Sequence, residues 1–389
     1  MNLGRTVFSQ IMSWFPDYYF DQFVERYRGD HRVQTFFCRD QFLCMAFAQL
    51  AYRDSLRDIE TCLRTLGSKL YHAGIHGPIS RSTLADANEH RDWRIYADLA
   101  QVLITQARRL YAQDAFGVVL KNTVYAFDST TIDLCMSLFP WAHFRKHKAA
   151  VKLHTLIDLR GSIPCFIRIT DGKVHDVNTL DDLLIEAGAF YLIDRGYIDF
   201  ERLFAITQLL AFFVTRAKRN MTYRVVASRP VNKARGLRSD QTIRLTGLQA
   251  SKDYPNTLRR ISYIDPKTRK RLIFLTNNFA LSALTIQKLY KCRWQVELFF
   301  KWIKQYLRIK AFYGTSENAV KTQIWIAISV YVLIAIIKKD LKLTQSLGEI
   351  LQIFSVFLFE KIELYQLFSE SMCTNQSVES PNQLTLNGI

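Results

Sequence analysis

Four residues in the last third of this 389-residue chain have types and spacings that suit work on a polyanion. Tyr290, Arg293, Glu297 and Lys304 stand at i, i+3, i+7 and i+14 in the stretch YKCRWQVELFFKWIK. On a helix those steps return all four side chains to one face. The stretch has no Gly or Pro, so a single helix over 290–304 is expected. Between Gln287 and Lys310 the bases are Lys288, Lys291, Arg293, Lys301, Lys304, Arg308 and Lys310, and Glu297 is the one acid. Two chemistries suit that carboxylate. It can be an i,i+4 ion-pair partner of Arg293 or Lys301, worth roughly 0.2–0.5 kcal/mol. It can also hold a metal ion on a surface that binds phosphates.

Two more acids stand out by position. Asp128 closes the apolar, β-rich run VVLKNTVYAFD, and Asp194 closes AFYLID. Both are expected at strand ends, where an α/β sheet places its chemistry. Three converging carboxylates raise one another's pKa, and divalent cations remove that objection. Hard oxygen ligands completed by water suit Mg²⁺ or Mn²⁺. Two such ions about 3.5–4 Å apart can activate water or a 3′-hydroxyl and stabilise the leaving oxygen of a phosphoryl transfer. Other acids read as structural: Asp133 beyond its strand, Asp158 and Asp171 in turns, Asp176 and Asp199 at helix starts. His154 and His175 read as structural histidines.

The elements that must position these groups are legible in outline. Residues 1–112 carry apolar residues at helical steps and form an all-α N-terminal domain. Ser80 or Ser82 caps a helix there that follows Gly77-Pro78. If it is the second member of a helix-turn-helix, it presents Arg81, Ser82, Thr83 and Asn88 to a DNA groove. Residues 113–345 change texture. The run ending at Asp128, the alternating Val151–Leu159 and Pro164–Thr170 read as an antiparallel meander. A helix over 179–187, the Asp194 strand, a helix over 200–210 and a strand over 211–215 follow, giving a mixed α/β sheet covered by helices. A basic, β-rich insertion occupies about 216–281, and 346–389 hold short helices and a disordered tail beyond about 370.

Composition narrows the partner. The formal charge of +17 points to nucleic acid, and the bases are spread along the chain rather than gathered in one membrane anchor. The apolar run Ile324–Ile337 is short for a bilayer and reads as a buried helix. The first twenty residues lack the pattern of a signal peptide. The seven cysteines form no CxxC pair and read as reduced residues of a cytoplasmic protein.

Together FDSTT around Asp128, YLIDRGY around Asp194 and Tyr290-x2-Arg293-x3-Glu297-x6-Lys304 resemble the DDE transposases of bacterial insertion sequences. The last pattern is similar to the Tyr-Arg-Glu-Lys signature of the insertion-sequence-four family, and the resemblance spans about residues 120–320. It implies a ribonuclease-H-like core, with Asp128, Asp194 and Glu297 as catalytic ligands of two Mg²⁺ or Mn²⁺ ions. It implies that Tyr290, Arg293 and Lys304 contact DNA, with the neighbouring Lys301 as a further candidate. The activity implied is cut-and-paste movement of an element by strand cleavage and 3′-end transfer at terminal inverted repeats. Its partners would be double-stranded repeat and target DNA, and a second copy of the chain, at the bacterial nucleoid. Where such enzymes cut through a hairpin, an aromatic platform holds a flipped base. The insertion has no Trp, so either Tyr223, Tyr254 or Tyr263 serves or there is no hairpin step. Trp294 and Trp302 lie off the signature face and are expected in the core.

Rival readings explain less. A tyrosine recombinase needs an Arg–His–x–x–Arg set, and no histidine here has Arg three residues later. A DNA-binding regulator leaves the three carboxylates unexplained. A metal-dependent nuclease of the same fold, cutting without joining, is the closest competitor.

Overall fold

The computed structural model describes residues 4–67, 69–77, 79–145, 148–307, 309 and 312–373. Pro78, Arg308, Lys310 and the expected disordered tail from residue 374 lie outside the described residues. The chain opens with helices α1 (Val7–Ile11), α2 (Asp17–Arg26), α3 (Cys38–Leu50), α4 (Leu56–Leu66), α5 (Lys69–His72), α6 (Arg81–His90) and α7 (Arg94–Tyr111). Ser80 is the N-cap of α6, its side chain accepting from the Thr83 amide. Then come β1 (Val124–Leu134), β2 (His143–Arg145), β3 (Lys148–Asp158), β4 (Ile163–Asp171), β5 (Phe190–Ile193), α8 (Phe200–Gln208) and β6 (Phe212–Arg216).

The core strands lie in the order β4-β3-β1-β5-β6. β1, β3 and β4 are antiparallel neighbours, while β5 runs parallel to β1 and β6 parallel to β5. This is the mixed α/β, ribonuclease-H-like arrangement that was expected. Alternation along β1 splits the core in two. Val124, Ala126 and Ile132 join the larger cluster, while Tyr125 and Phe127 face the smaller one with Tyr197, Leu203 and Phe213.

Two elements differ from expectation. β1 does not stop at Asp128 but runs six residues further, so Asp133 lies within it. Its β-branched Thr130, Thr131 and Ile132 keep pairing with β3 down to Leu134 opposite Ala149. The expected helix over 179–187 is a 3₁₀ turn, Asp176–Asp182, followed by extended chain. Hydrogen bonding decides this: the Glu186 amide donates to the Tyr191 hydroxyl, and its carboxylate accepts from Tyr125.

The insertion supplies β7 (Tyr223–Arg229), β8 (Leu237–Leu245), α9 (Ala250–Asp253), β9 (Leu258–Ile264) and β10 (Arg271–Thr276). Its strands are not a separate sheet. β10 pairs with β6, and the order continues β10-β9-β8-β7 away from the core. The chain then returns through α10 (Ala283–Cys292), α11 (Trp294–Tyr306), α12 (Glu317–Asp340), α13 (Leu347–Phe357) and α14 (Leu364–Cys373).

By length and composition α12 could cross a membrane, but 94% of its apolar window is buried inside the protein. It is apolar all round because α3, α6 and α7 pack on it along with α11 and α13. The N-terminal helices therefore share one hydrophobic cluster with the strands and helices of 124–337. The expected boundary near residue 112 separates stretches of sequence, not separate cores.

His154 is fully buried on β3, with Nε2 3.0 Å from Thr170 Oγ1. Burial pushes its pKa down to about 4, with help from Lys152 and Arg168 and against Asp176. The unfolded chain takes up this proton near pH 6.5. The stability that neutral His154 contributes is therefore full above that pH and is lost as pH falls toward about 4. Unfolding in urea should show about 2 kcal/mol less stability at pH 5 than at pH 7 from this group, a loss absent in His154→Gln.

Candidate active site

The parallel pairing of β1 with β5 ends at Phe127 opposite Ile193. The next residues are Asp128 and Asp194, so the two carboxylates leave adjacent strands at the same level. Asp128 is held on its other side by pairing with β3 opposite Thr155. The Ser129 amide donates to its Oδ1 at 2.9 Å. Asp194 caps the 3₁₀ turn Arg195–Tyr197, accepting from the Gly196 amide.

The 290–304 stretch forms two helices rather than the expected one. Arg293 ends α10 and begins α11 with backbone angles φ −53° and ψ −29°. Hydrogen bonds on both sides of it span three residues: the Arg293 amide to the Tyr290 carbonyl, and the Val296 amide to the Arg293 carbonyl. This tightened joint still leaves Tyr290, Arg293, Glu297 and Lys304 facing the strands.

Arg293 is the hub. Its Nη1 donates to Asp128 Oδ2 at 2.7 Å, and its Nη2 to Glu297 Oε1 at 2.6 Å. The Tyr290 hydroxyl donates to Asp194 Oδ1 at 3.2 Å. Lys304 Nζ reaches the Thr131 carbonyl at 2.7 Å, fastening α11 to β1. Arg293 and Asp128, 165 positions apart, and Tyr290 and Asp194, 96 apart, are thus drawn to one place where α11 packs against β1.

The electrostatics divide the two aspartates. Burial raises the Asp128 pKa, as do Asp194 and Glu297, against the Ser129 amide and Arg293. Burial acts the same way on Asp194, but Arg293, the Gly196 and Arg195 amides and Arg216 outweigh it and hold its carboxyl below the usual range. Arg293 loses by burial but gains more from Tyr290 and the carboxylates, so its guanidinium stays charged. Burial raises the Tyr290 pKa, which keeps its hydroxyl a donor.

Arg216 is a site residue that motif reading missed, having been grouped with the basic insertion. Its Nη2 lies 3.6 Å from Asp194 Oδ1. The signal was positional: Leu192 pairs with Val214, so Asp194 and Arg216 lie level two residues beyond.

The three carboxylates are the hard oxygen donors that Mg²⁺ or Mn²⁺ prefers, so the donor set fits a divalent ion by its chemistry. Among the described residues, however, no three His, Cys, Asp or Glu side chains come together as one ligand set. Arg293 lies between them.

Residues 120–333, more than half of the chain, match the family model described as a transposase DDE domain. The chain belongs to the DDE transposases. Residues 3–76 of the transposase match a domain of unknown function. A chain of Sinorhizobium fredii named for transposase activity, y4zB, is 33% identical over 285 residues, covering 72% of this chain and 78% of that one. One from Geobacillus stearothermophilus, named for insertion sequence element IS5377, is 33% identical over 254 residues, covering 65% and 66%. A Synechocystis relative named for element IS4SA is 22% identical over 314 residues, covering 78% and 84%. Insertion-sequence transposition, with DNA as partner, is thus the activity of this enzyme family, and divalent ions are its general cofactor.

The remaining candidates of the transposase fare unequally. Arg81, Ser82, Thr83 and Lys301 are exposed. Asn88 is not available to a groove: it is 2% exposed, accepts from Gln41 Nε2 at 2.8 Å and faces α3. Its place on the apolar side of α6, beside Leu84 and Ala87, explains this. Trp294 is 58% exposed rather than in the core, while Trp302 packs against Tyr331 with ring centroids 4.7 Å apart. Among the insertion tyrosines, Tyr254 is fully buried and Tyr263 nearly so. Tyr223 is half-buried and carries the Arg260 guanidinium 5.0 Å above its ring.

Proposed function

We propose that the transposase cuts DNA at the terminal inverted repeats of its own element and joins the freed 3′ ends to target DNA. The observation that carries this reading is that Arg293 bridges Asp128 and Glu297 while Tyr290, one turn earlier, holds Asp194. In this reading Asp128, Asp194 and Glu297 would hold two divalent ions, Mg²⁺ or Mn²⁺. When bound, such ions lower the pKa of an attacking hydroxyl and stabilise the leaving oxygen. Arg293 offers a bidentate fork to a phosphate, Lys304 and Lys301 offer point charges, and Tyr290 offers a hydroxyl. The exposed start of α6, with Arg81, Ser82 and Thr83, enters a groove of the repeat. Two ends handled together call for two copies of the chain on the DNA, acting at the nucleoid.

The test is a Mg²⁺-dependent reaction on linear DNA carrying the sequences that flank this reading frame. Cleavage confined to the element ends, with joined products, is expected. Cleavage without end preference or joining would mean a nuclease of this fold instead.

Binding should also weaken steeply with salt, because a surface of this charge releases counterions from DNA. For six to ten phosphate contacts, affinity should fall about 10³–10⁵-fold between 50 and 200 mM salt. A titration that is flat over that range would rule out phosphate-dominated binding.

A further inference from the structure

We propose that Arg293 competes with divalent ions for the same carboxylate oxygens, and that DNA relieves the competition by drawing the guanidinium onto a phosphate. The proposal rests on the reading of Asp128, Asp194 and Glu297 as metal ligands. It assigns Arg293 a second position beside its DNA contact, and it makes DNA and metal binding interdependent.

The contacts define the conflict. Arg293 takes Asp128 Oδ2 with one nitrogen and Glu297 Oε1 with the other, at distances typical of charge-assisted hydrogen bonds. These oxygens come from the strand and the helix that the site must bridge. An ion bonded to either at about 2.0–2.1 Å would lie against a guanidinium of like charge. Arg293 is also well placed to counter the repulsion among the carboxylates, because its side chain is only 14% exposed. Removing it without supplying another cation would leave acids in a half-buried site.

The joint between α10 and α11 gives Arg293 a way to leave. Its residues are held by three-residue hydrogen-bond steps, which have poorer geometry than the α-helical step. A small torsional change at one residue there swings the side chain without unfolding either helix. Its Nε is buried with no hydrogen-bond partner among the described residues, so the bridging position leaves one donor unsatisfied. A phosphate offers the same bidentate geometry as the carboxylates and its own negative charge in exchange. The exposed Lys301 keeps that phosphate attracted to the same face. By linkage, DNA must tighten metal binding by the same factor as the metal tightens DNA binding.

Mn²⁺ binding to the whole protein, read from the paramagnetic resonance signal of unbound ion, tests this without any turnover. Four mixtures are compared: wild type, wild type with duplex DNA of the flanking sequence, Arg293→Gln, and Asp128→Asn with that DNA. Wild type alone should bind weakly. Adding DNA, or replacing Arg293, should tighten binding about tenfold, and Asp128→Asn should lose the tight site. Equal binding by wild type with and without DNA would overturn the competition, even if Arg293→Gln failed to fold. Asp128-dependent binding that is alike in all other mixtures would sink the competition and leave the metal ligands standing. Binding that never depends on Asp128 would sink both.

Discussion

Asp128→Asn and Glu297→Gln are each expected to lower cleavage and joining by about 1,000-fold or more while the protein stays folded. Groups that merely support a metal's ligands cost 10–100-fold when removed, and these two are proposed as ligands themselves. Either amide keeps the shape of the acid it replaces but gives up the charge. Stability should respond in the opposite sense for Asp128. Its folded pKa is raised, chiefly by burial, so its ionised form is a burden on the fold at neutral pH. A group raised in this way contributes stability below its unfolded pKa and loses that contribution as pH rises through the folded value. Asp128→Asn should therefore melt no lower than wild type at pH 7, although Arg293 loses a charged partner. Active sites commonly carry this trade of stability for chemistry. Activity within tenfold of wild type in either variant would remove that carboxylate from the chemistry. Lost activity with a large fall in melting temperature would mean damage to the fold instead.

How much of this site was legible follows from how local each signal is. Glu297, Arg293, Tyr290 and Lys304 declare themselves because helical period links them within fifteen residues. Asp194 is legible because a short apolar run must end where parallel pairing ends, at Ile193. Asp128 was found for a partly wrong reason. The strand does not end there, and only its pairing with β5 does, a fact about a partner 66 positions away in the register Phe127–Ile193. Asn88 was misplaced because an Asn on the apolar side of a helix looks like an exposed one until its partner, Gln41, is known. The break at Arg293 has no proline or glycine to announce it. It follows from packing, with α10 lying against β6 and α11 crossing β1 and β3. Arg216 needed the order of the sheet before its level with Asp194 could be seen.

The insertion's place in the same sheet leads to the second large effect. Asp240→Ala should destabilise the protein by about 3–5 kcal/mol, the usual result of stranding one member of a buried ion pair. Arg259 on β9 and Asp240 on β8 are 3% and 5% exposed. The guanidinium grips both carboxylate oxygens, Nε to Oδ1 at 2.9 Å and Nη2 to Oδ2 at 2.7 Å. Its remaining nitrogen donates to the carbonyls of Leu281 and Asn278, immediately before α10. Without Asp240 the Arg259 charge keeps those carbonyls but no anion, and Arg229, whose Nη1 lies 3.4 Å from Asp240 Oδ1, loses the same partner. Replacing both members, Asp240→Leu with Arg259→Leu, should recover a large part of the loss, since an apolar pair leaves no charge buried. The two-residue comparison separates the pair's electrostatics from its packing, and urea unfolding of the three variants measures it. The same linkage has a consequence at the active site. The pair ties the outer strands to the start of the helix that carries Tyr290, so Asp240→Ala should cost activity even at temperatures where it remains folded. A loss below 1 kcal/mol would show that the insertion is held by its strand pairing to β6 alone. The carboxylate site would then not depend on that buried charge.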